Sequence, residues 1–364
     1  MAFDPHREDY QRMALRFVRT LDGQEADDAL RAFARFGRLY NQESDLLPQS
    51  DEERSFHLMA DAAHLIDYEL PFADDADAEG IVSRAHTLLE EALSLDPANA
   101  DARRMRQAAL IVGFEPFYAF LLEGQEQVRL QCEERRERAL CEGNHERSSF
   151  GAFLALAPYL RWLASLASKA LICGHNHAAV DACERLLALD PSDAADARFT
   201  QALALAKLED ATGLDELERR VGAMDLDRPR RPQDAWLQLS RCALAYKQDD
   251  LARARSWLHG VCEGYPQARA TLYLQKELPD GVFARLALPP LSEDELIVAV
   301  SEATVLLQEG RDRRGRGSFG AWVMDEVAKE LSPRERRELD EFRDAQAQDG
   351  RDEGGSAPSK ERGA

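Results

Sequence analysis

The sequence has almost no signal for β-strands, because alternating runs of β-branched and polar residues are absent and Ala, Leu, Glu, Arg and Gln dominate. It also lacks a disulfide framework. Six cysteines are spread over 364 residues without a CxxC pair, which is typical of reduced thiols in a cytoplasm. Catalytic fingerprints are missing too: there is no GxSxG, phosphate-binding loop or dinucleotide motif. These absences predict an all-α cytoplasmic protein without an identifiable catalytic residue, bound metal or cofactor.

Acidic residues outnumber basic residues. Lys and Arg total 46 against 67 Asp and Glu, for a formal net charge of −21. A nucleic-acid partner is disfavoured, since such proteins need positive surface to displace counterions from phosphates. Residues 41–80 are the most acidic segment, with twelve carboxylates and Arg54 as their basic residue. This segment is either a solubilising surface or a docking surface for a basic partner. Arginine far exceeds lysine, with 40 residues against six, and this excess indicates a GC-rich, bacterial genome.

Membrane signals are weak. The first ten residues, MAFDPHREDY, are polar and predict no signal peptide. The longest apolar stretch runs from Phe150 to Cys173 but contains Pro158, Arg161 and Lys169. A central charge disfavours membrane insertion by about 2.5–3.5 kcal/mol. We therefore expect this stretch to form buried helices and the chain to have no membrane segment.

Apolar residues recur at helical spacing from the N-terminus onward. Two stripes are separated by a break at Asp22-Gly23, so they predict an antiparallel helix pair. The first stripe is Tyr10, Met13, Phe17 and Leu21, and the second is Leu30, Phe33, Gly37 and Tyr40.

Two later segments indicate an internal repeat. Gly80–Pro97 and Gly174–Pro191 have the same length, carry an Ala five residues after the Gly, and end in the same Leu-Asp-Pro triplet. Proline suits this position because it cannot extend the preceding helix but fits the first turn of the next one.

These segments resemble the second helix of a tetratricopeptide repeat, which carries a small residue, a large one, an Ala and a Pro at fixed spacing. The matching positions are Ala85, Leu89, Ala92 and Pro97; Ala179, Cys183, Leu186 and Pro191; and, less closely, Ala254, Leu258, Val261 and Pro266. Residues 160–193 make the best complete repeat. The resemblance implies an irregular α-solenoid of antiparallel helical hairpins.

The same resemblance implies a concave groove that binds an extended peptide or a helix of another protein. In the best repeat its groove positions are Arg161, Ala164, Ser168, Leu171 and Ile172. The Lys and Asn that clamp a terminal carboxylate in some family members are missing, so only Arg161 is left to hold an anion. Leu171 and Ile172 indicate an apolar groove, unless another helix of the chain covers them. The function implied is that of a protein-binding scaffold or adaptor.

Part of the chain also resembles the suppressor-of-tumorigenicity-seven family, in which repeat helices flank a longer charged helix. The charged helix corresponds to Gln125–Arg138. The later stretches Leu272–Leu286 and Ser292–Ala303 follow the same layout. This resemblance implies no activity.

The expected organisation has four parts: N-terminal helical hairpins with the acidic region over 1–70, tetratricopeptide-like repeats over 71–266, a C-terminal helical segment over 267–347, and a disordered tail over 348–364. The tail prediction rests on its lack of apolar residues.

Three clusters offer alternatives to the adaptor function. Cys173, His175, His177 and Cys183 are zinc-ligand types but lack a recognised zinc spacing, which favours turn and core roles. His57, Asp61 and His64 share a helical face, where a metal-dependent hydrolase site is possible and a solvated or partly buried surface is the simpler interpretation. Arg311, Arg313, Arg314 and Arg316 lie in a glycine-rich loop that is either plain solvated surface, an RNA-backbone contact or an internal contact of the acidic region.

Overall fold

The computed structural model describes residues 4–23, 25–44, 47–141, 145–224, 234–275, 278, 288–310 and 317–354. Over these residues the chain forms α-helices and no β-strand, so the all-α prediction is confirmed. The helices are α1 (Pro5–Arg19), α2 (Ala26–Glu43), α3 (Asp51–His64), α4 (Asp75–Leu95), α5 (Ala100–Leu110), α6 (Phe114–Leu140), α7 (His145–Ile172), α8 (Asn176–Leu189), α9 (Ala197–Lys207), α10 (Ala211–Val221), α11 (Ala235–Lys247), α12 (Leu251–Gly264), α13 (Ala268–Leu274), α14 (Glu293–Glu302), α15 (Thr304–Leu307), α16 (Ser318–Ala328) and α17 (Pro333–Gly354).

The described chain divides into two compact units. The first extends from the N-terminus to Ala204, and the second contains most of the described residues from Leu205 onward. The boundary at Ala204 falls inside the segment 71–266 that the sequence assigned to repeats.

The first two helices pack through an aromatic cluster, as their apolar stripes predicted. Met13 and Phe36 are buried, and the Phe17 ring stacks on Phe36 with 4.7 Å between ring centroids. Asp4 caps α1 by accepting a hydrogen bond from the Arg7 backbone N–H, and Pro5 occupies the first turn. Leu30 does not join the cluster, since it is 71% exposed.

Helices α3 and α4 form the next pair. Ser50 and Glu53 make a reciprocal capping box that fixes the start of α3. The α4 residues Ala85, Leu89 and Ala92, which carried the repeat spacing, are fully buried in the core between these helices. Directly after α3, Leu65–Glu69 form a π-helical turn.

Helices α6 and α7 are the longest antiparallel pair of the first unit. The Trp162 indole N–H donates to the Leu121 carbonyl at 2.8 Å, and the indole ring lies over Gly124. A Cβ at Gly124 would lie 2.7 Å from this ring, so the close approach requires glycine. Most of the apolar stretch from Phe150 is buried in α7, which runs through Pro158 as one helix, although Phe150 and Phe153 are 39% and 44% exposed.

Three helix–helix turns share one hydrogen-bond pattern. At the ends of α7, α9 and α11, the residues Gly174, Glu209 and Asp249 adopt left-handed backbone angles. In each turn the next N–H reaches five residues back: His175 to Ala170, Asp210 to Leu205, and Asp250 to Ala245, at 2.8, 3.0 and 2.9 Å. This is the Schellman C-cap. The following helices, α8 and α12, bury their motif positions as α4 does: Ala179, Cys183, Leu186, Ala254, Leu258 and Val261.

The predicted disordered tail starts too early. Helix α17 continues to Gly354, so residues 348–354 are helical. A lack of apolar residues argues against a packed core but not against a helix, although this stretch also contains two Gly and two Asp, which are poor helix formers. Residues 355–364 lie outside the described part of the chain.

Candidate functional site

A buried polar network joins the first three helices around His57. The His57 Nδ1 lies 2.7 Å from the Asp9 Oδ2, and the Tyr40 hydroxyl donates to the same carboxylate oxygen at 2.7 Å. Asp9 is 1% exposed and His57 is 6% exposed. The network therefore connects α1, α2 and α3 through side chains that sequence patterning places on three separate helices.

The other nitrogen of His57 faces two oxygens. The Ser44 Oγ lies 3.4 Å from the His57 Nε2, and the Asp61 Oδ2 lies 3.8 Å from it. Burial alone would lower the pKa of His57, but the hydrogen bond and charge of Asp9, with a smaller contribution from Asp61, raise this pKa above its usual value. Carboxylates on both sides of the ring thus favour the imidazolium.

A pocket lies next to this network, along the π-helical turn Leu65–Glu69. Its empty volume is about 870 Å³, including open solvent at its mouth. Its charged and titratable lining residues are His6, Asp61, His64, Glu69 and Arg84. The His64 Nε2 is 3.7 Å from the Glu69 Oε1, and the His6 and His64 rings meet edge to face. Single π-helical turns are frequent at functional sites.

The predicted face of His57, Asp61 and His64 is therefore split. Asp61 and His64 reach the pocket, whereas His57 is buried against Asp9 and Ser44. Throughout the described ranges, no group of three or more His, Cys, Asp or Glu side chains is placed to hold a metal ion.

The side chains of Cys173, His175, His177 and Cys183 do not come together at one site either. Cys183 is fully buried in α8, while His177 is exposed. His175 stacks on Tyr118, and its Nε2 lies 2.9 Å from the Glu115 carboxylate. Burial and Glu115 raise the pKa of Cys173 to about 11, so this thiol is protonated at neutral pH.

Arg161, predicted to face the groove and hold an anion, binds carboxylates of its own chain. Its guanidinium donates to both oxygens of Asp101 in α5, at 2.9 and 2.6 Å, and to Glu8 in α1 at 2.6 Å. Glu8 also accepts from Arg12. The remaining groove residues differ in exposure: Ala164 and Ser168 are half-buried, Leu171 is buried, and Ile172 is 37% exposed.

An exposed apolar segment lies at the junction of α5 and α6, and the sequence reasoning missed it. Leu110, Val112 and Phe114 are 54%, 92% and 47% exposed. The Lys169 ammonium lies 5.2 Å from the centre of the Phe114 ring, so this segment meets the last turn of α7, where Ile172 also lies. Its signal in the sequence is the uncharged run from Ala108 to Phe114, which has no place in the repeat spacing.

Several carboxylates of the acidic segment 41–80 have structural roles. Glu53 caps α3 and pairs with Arg16, Glu52 pairs with Arg135 of α6 at 3.2 Å, and Asp74 caps α4. The exposed carboxylates Glu43, Asp51, Asp77 and Glu79 remain as surface charge. The arginine-rich loop with Arg311, Arg313, Arg314 and Arg316 lies outside the described residues.

Helix α7 alone among the described helices is long and apolar enough, by length and composition, to cross a membrane. Its most apolar window is 67% buried inside the first unit, and the core helix of a folded domain meets the same criteria. Comparison of the chain with known protein families, with curated proteins and with solved structures finds no match.

Proposed function

We propose that this protein is a scaffold or adaptor that binds a partner protein through the apolar surface formed by Leu110, Val112, Phe114 and Ile172. We call these four residues the junction surface. They belong to the α5–α6 junction and to the last turn of α7.

The observation that carries this proposal is the exposure of the junction surface. Val112 is almost fully exposed although it lies in an uncharged seven-residue run, Ala108–Phe114. Contiguous exposed apolar residues are characteristic of protein interaction sites, whereas single exposed apolar residues are ordinary. The Lys169 ammonium over the Phe114 ring adds a polar rim, which is typical of interfaces.

The proposal moves the binding site away from the anion-binding position first expected. Arg161 is held by Glu8 and Asp101, so an incoming carboxylate would have to displace two ion pairs. Ile172 keeps its proposed role, because it is the groove residue that remains exposed, and it lies three residues after Lys169, which contacts Phe114.

The tetratricopeptide resemblance supports the same proposal in general terms. The shared turn at Gly174, Glu209 and Asp249 is what a repeated helical hairpin would produce. Stacked hairpins present extended surfaces to partner proteins. The proposed arrangement is a tetratricopeptide-like array whose partner contact lies at the junction surface.

The test is affinity purification of the tagged full chain from the lysate of its native cells, followed by titration of the purified partner. Phe114→Asp should lower the affinity for the partner at least tenfold, because the substitution replaces an apolar anchor with a charge. Leu30→Asp, at an apolar residue exposed on another helix, is the matched control and should bind normally.

A second variant separates the junction surface from the acidic segment. It replaces the exposed carboxylates Glu43, Asp51, Asp77 and Glu79 with their amides. Unchanged affinity in this variant supports the junction surface. A loss equal to that of Phe114→Asp would instead support docking of a basic partner on the acidic segment.

A further inference from the structure

The buried network around His57 has the order of groups that activates a serine hydroxyl. Asp9 holds the Nδ1 side of the ring at 2.7 Å, and the Ser44 Oγ lies 3.4 Å from the Nε2 side. Since Asp9 fixes the proton on Nδ1, the neutral imidazole presents its Nε2 lone pair toward Ser44, the nearer of the two oxygens at this nitrogen; the Asp61 Oδ2 is 3.8 Å away. A nucleophile, a base and a carboxylate that orients the base are thus aligned.

Both ends of this chain of groups are held in place. Asp9 receives a second hydrogen bond from the Tyr40 hydroxyl, which fixes the carboxylate against the ring. At the other end, Gln49 donates from its side-chain amide to the Ser44 carbonyl at 3.2 Å. Ser44 itself is half-buried at the end of α2, whereas His57 is buried.

We propose that Ser44 is the nucleophile of an acyl-transfer site that hydrolyses small carboxylic esters, with His57 as general base and Asp9 as the residue that positions His57. This activity is independent of the partner binding proposed above, since the residues and the surface are different.

The reaction balances with water as the co-reactant. The Ser44 Oγ forms a bond to the ester carbonyl carbon while the His57 Nε2 takes the hydroxyl proton. The bond between that carbon and the leaving alcohol oxygen then breaks, and His57 returns the proton to this oxygen. Water attacks the acyl–Ser44 ester by the same route, so that ester and water give carboxylic acid and alcohol.

The charged and titratable groups around His57 predict how this activity depends on pH. Asp9 on α1 and Asp61 and Arg54 on α3 act on the imidazole, and Tyr40 on α2 donates a hydrogen bond to Asp9. The two carboxylates favour the imidazolium, which cannot accept the serine proton. Hydrolysis should therefore rise with pH through a transition above the ordinary histidine value of 6.5.

The experiment uses the purified full chain with two probes, a fluorophosphonate and p-nitrophenyl acetate. Tryptic mapping should place the phosphonyl adduct on Ser44 within the peptide 39–54 and not on Ser50 of the same peptide. Ser44→Ala should reduce acetate release at least about 100-fold, which is the scale of general-base catalysis. Asp9→Asn should lower kcat and shift its pH profile while KM changes little.

The matched control is Ser149→Ala. The Ser149 Oγ lies 3.4 Å from the His145 Nδ1, the same serine–histidine distance, on the exposed start of α7. This variant should keep full labelling and hydrolysis. The proposal is overturned if the native chain carries no adduct on Ser44, or if Ser44→Ala and Ser149→Ala hydrolyse the ester equally. The peptide mapping uses the unaltered chain, so it tests the proposal even if a variant fails to fold.

Discussion

Arg161 of α7 and Asp101 of α5 form a bidentate ion pair in which the Asp101 carboxylate is 1% exposed. Burial alone would raise the pKa of Asp101, but Arg161 and Arg104 keep this pKa below its usual value. The pair therefore stays ionised inside the first unit.

Removing the arginine should be strongly destabilising. Arg161→Ala leaves Asp101 buried without its bidentate partner and is expected to lower the free energy of unfolding by about 3–5 kcal/mol. Arg129→Ala is the control, because Arg129 also pairs with two carboxylates but on the exposed face of α6. Its cost should be much smaller, because an ion pair in contact with solvent contributes little to stability. Urea denaturation compares the two, and equal losses would contradict a special role for the buried pair.

The contact between Gly124 and Trp162 predicts opposite effects of two glycine-to-alanine changes. Gly124→Ala should destabilise the chain by about 1–3 kcal/mol, because the new methyl group would overlap the buried indole. Gly80→Ala, in α4 with no atom within 4 Å of the new Cβ, should stabilise it by about 0.5–1 kcal/mol through helix propensity. Thermal unfolding followed by circular dichroism measures both, and effects of the same sign would count against this packing.

Stability should fall with rising pH because of His57. Its pKa is raised in the folded chain, so its stabilising contribution is complete below pH 6.5 and is lost as the pH rises through the higher folded value. The unfolding free energy of the native chain minus that of His57→Gln should therefore decline above pH 6.5. The slope cannot exceed about 1.4 kcal/mol per pH unit for one proton. If this difference in unfolding free energy stayed constant between pH 5 and pH 9, the raised pKa of His57 would be refuted.

The shared left-handed turn predicts a pair of effects at equivalent positions. Glu209→Gly should stabilise the chain by about 0.5 kcal/mol, since glycine adopts a positive φ without the side-chain clash but has more freedom when unfolded. Gly174→Ala should destabilise it by about 1 kcal/mol at the corresponding turn. Chemical denaturation of each variant tests this, with Gly264→Ala, at a glycine with ordinary φ and no neighbouring atoms, as the reference.

Local patterns in the sequence predicted the local structure well. Ala85, Leu89 and Ala92 were assigned to a helix face from their spacing, and all three are fully buried. Ser292 and Glu295 have the spacing of a helix N-terminal capping pattern, and the Ser292 side chain accepts a hydrogen bond from the Glu295 backbone N–H at the start of α14. Periodicity and capping act within a few residues, so a single sequence displays them directly.

Contacts between distant segments could not be predicted in this way. The tetratricopeptide resemblance implied a groove position for Arg161 but gave no sign that Glu8, 153 residues earlier, would bind it. His57 was likewise expected on a solvated or partly buried surface, whereas Asp9, 48 residues earlier, holds it in the interior. Which distant helix covers a given face depends on tertiary packing, which leaves no periodic signal in the chain.

The adjacent residues Glu8 and Asp9 of the first helix meet their ionic partners at different stages of chain synthesis. Asp9 meets His57 after 48 residues, but Glu8 meets Arg161 only after 153. At a translation rate of about 5–20 residues per second, the start of the nascent chain waits roughly 8–30 s for its last ionic partner. During that interval the first helix lacks its ionic contact with α7, and this contact can form while the residues up to Ala204 of the first unit are still being added.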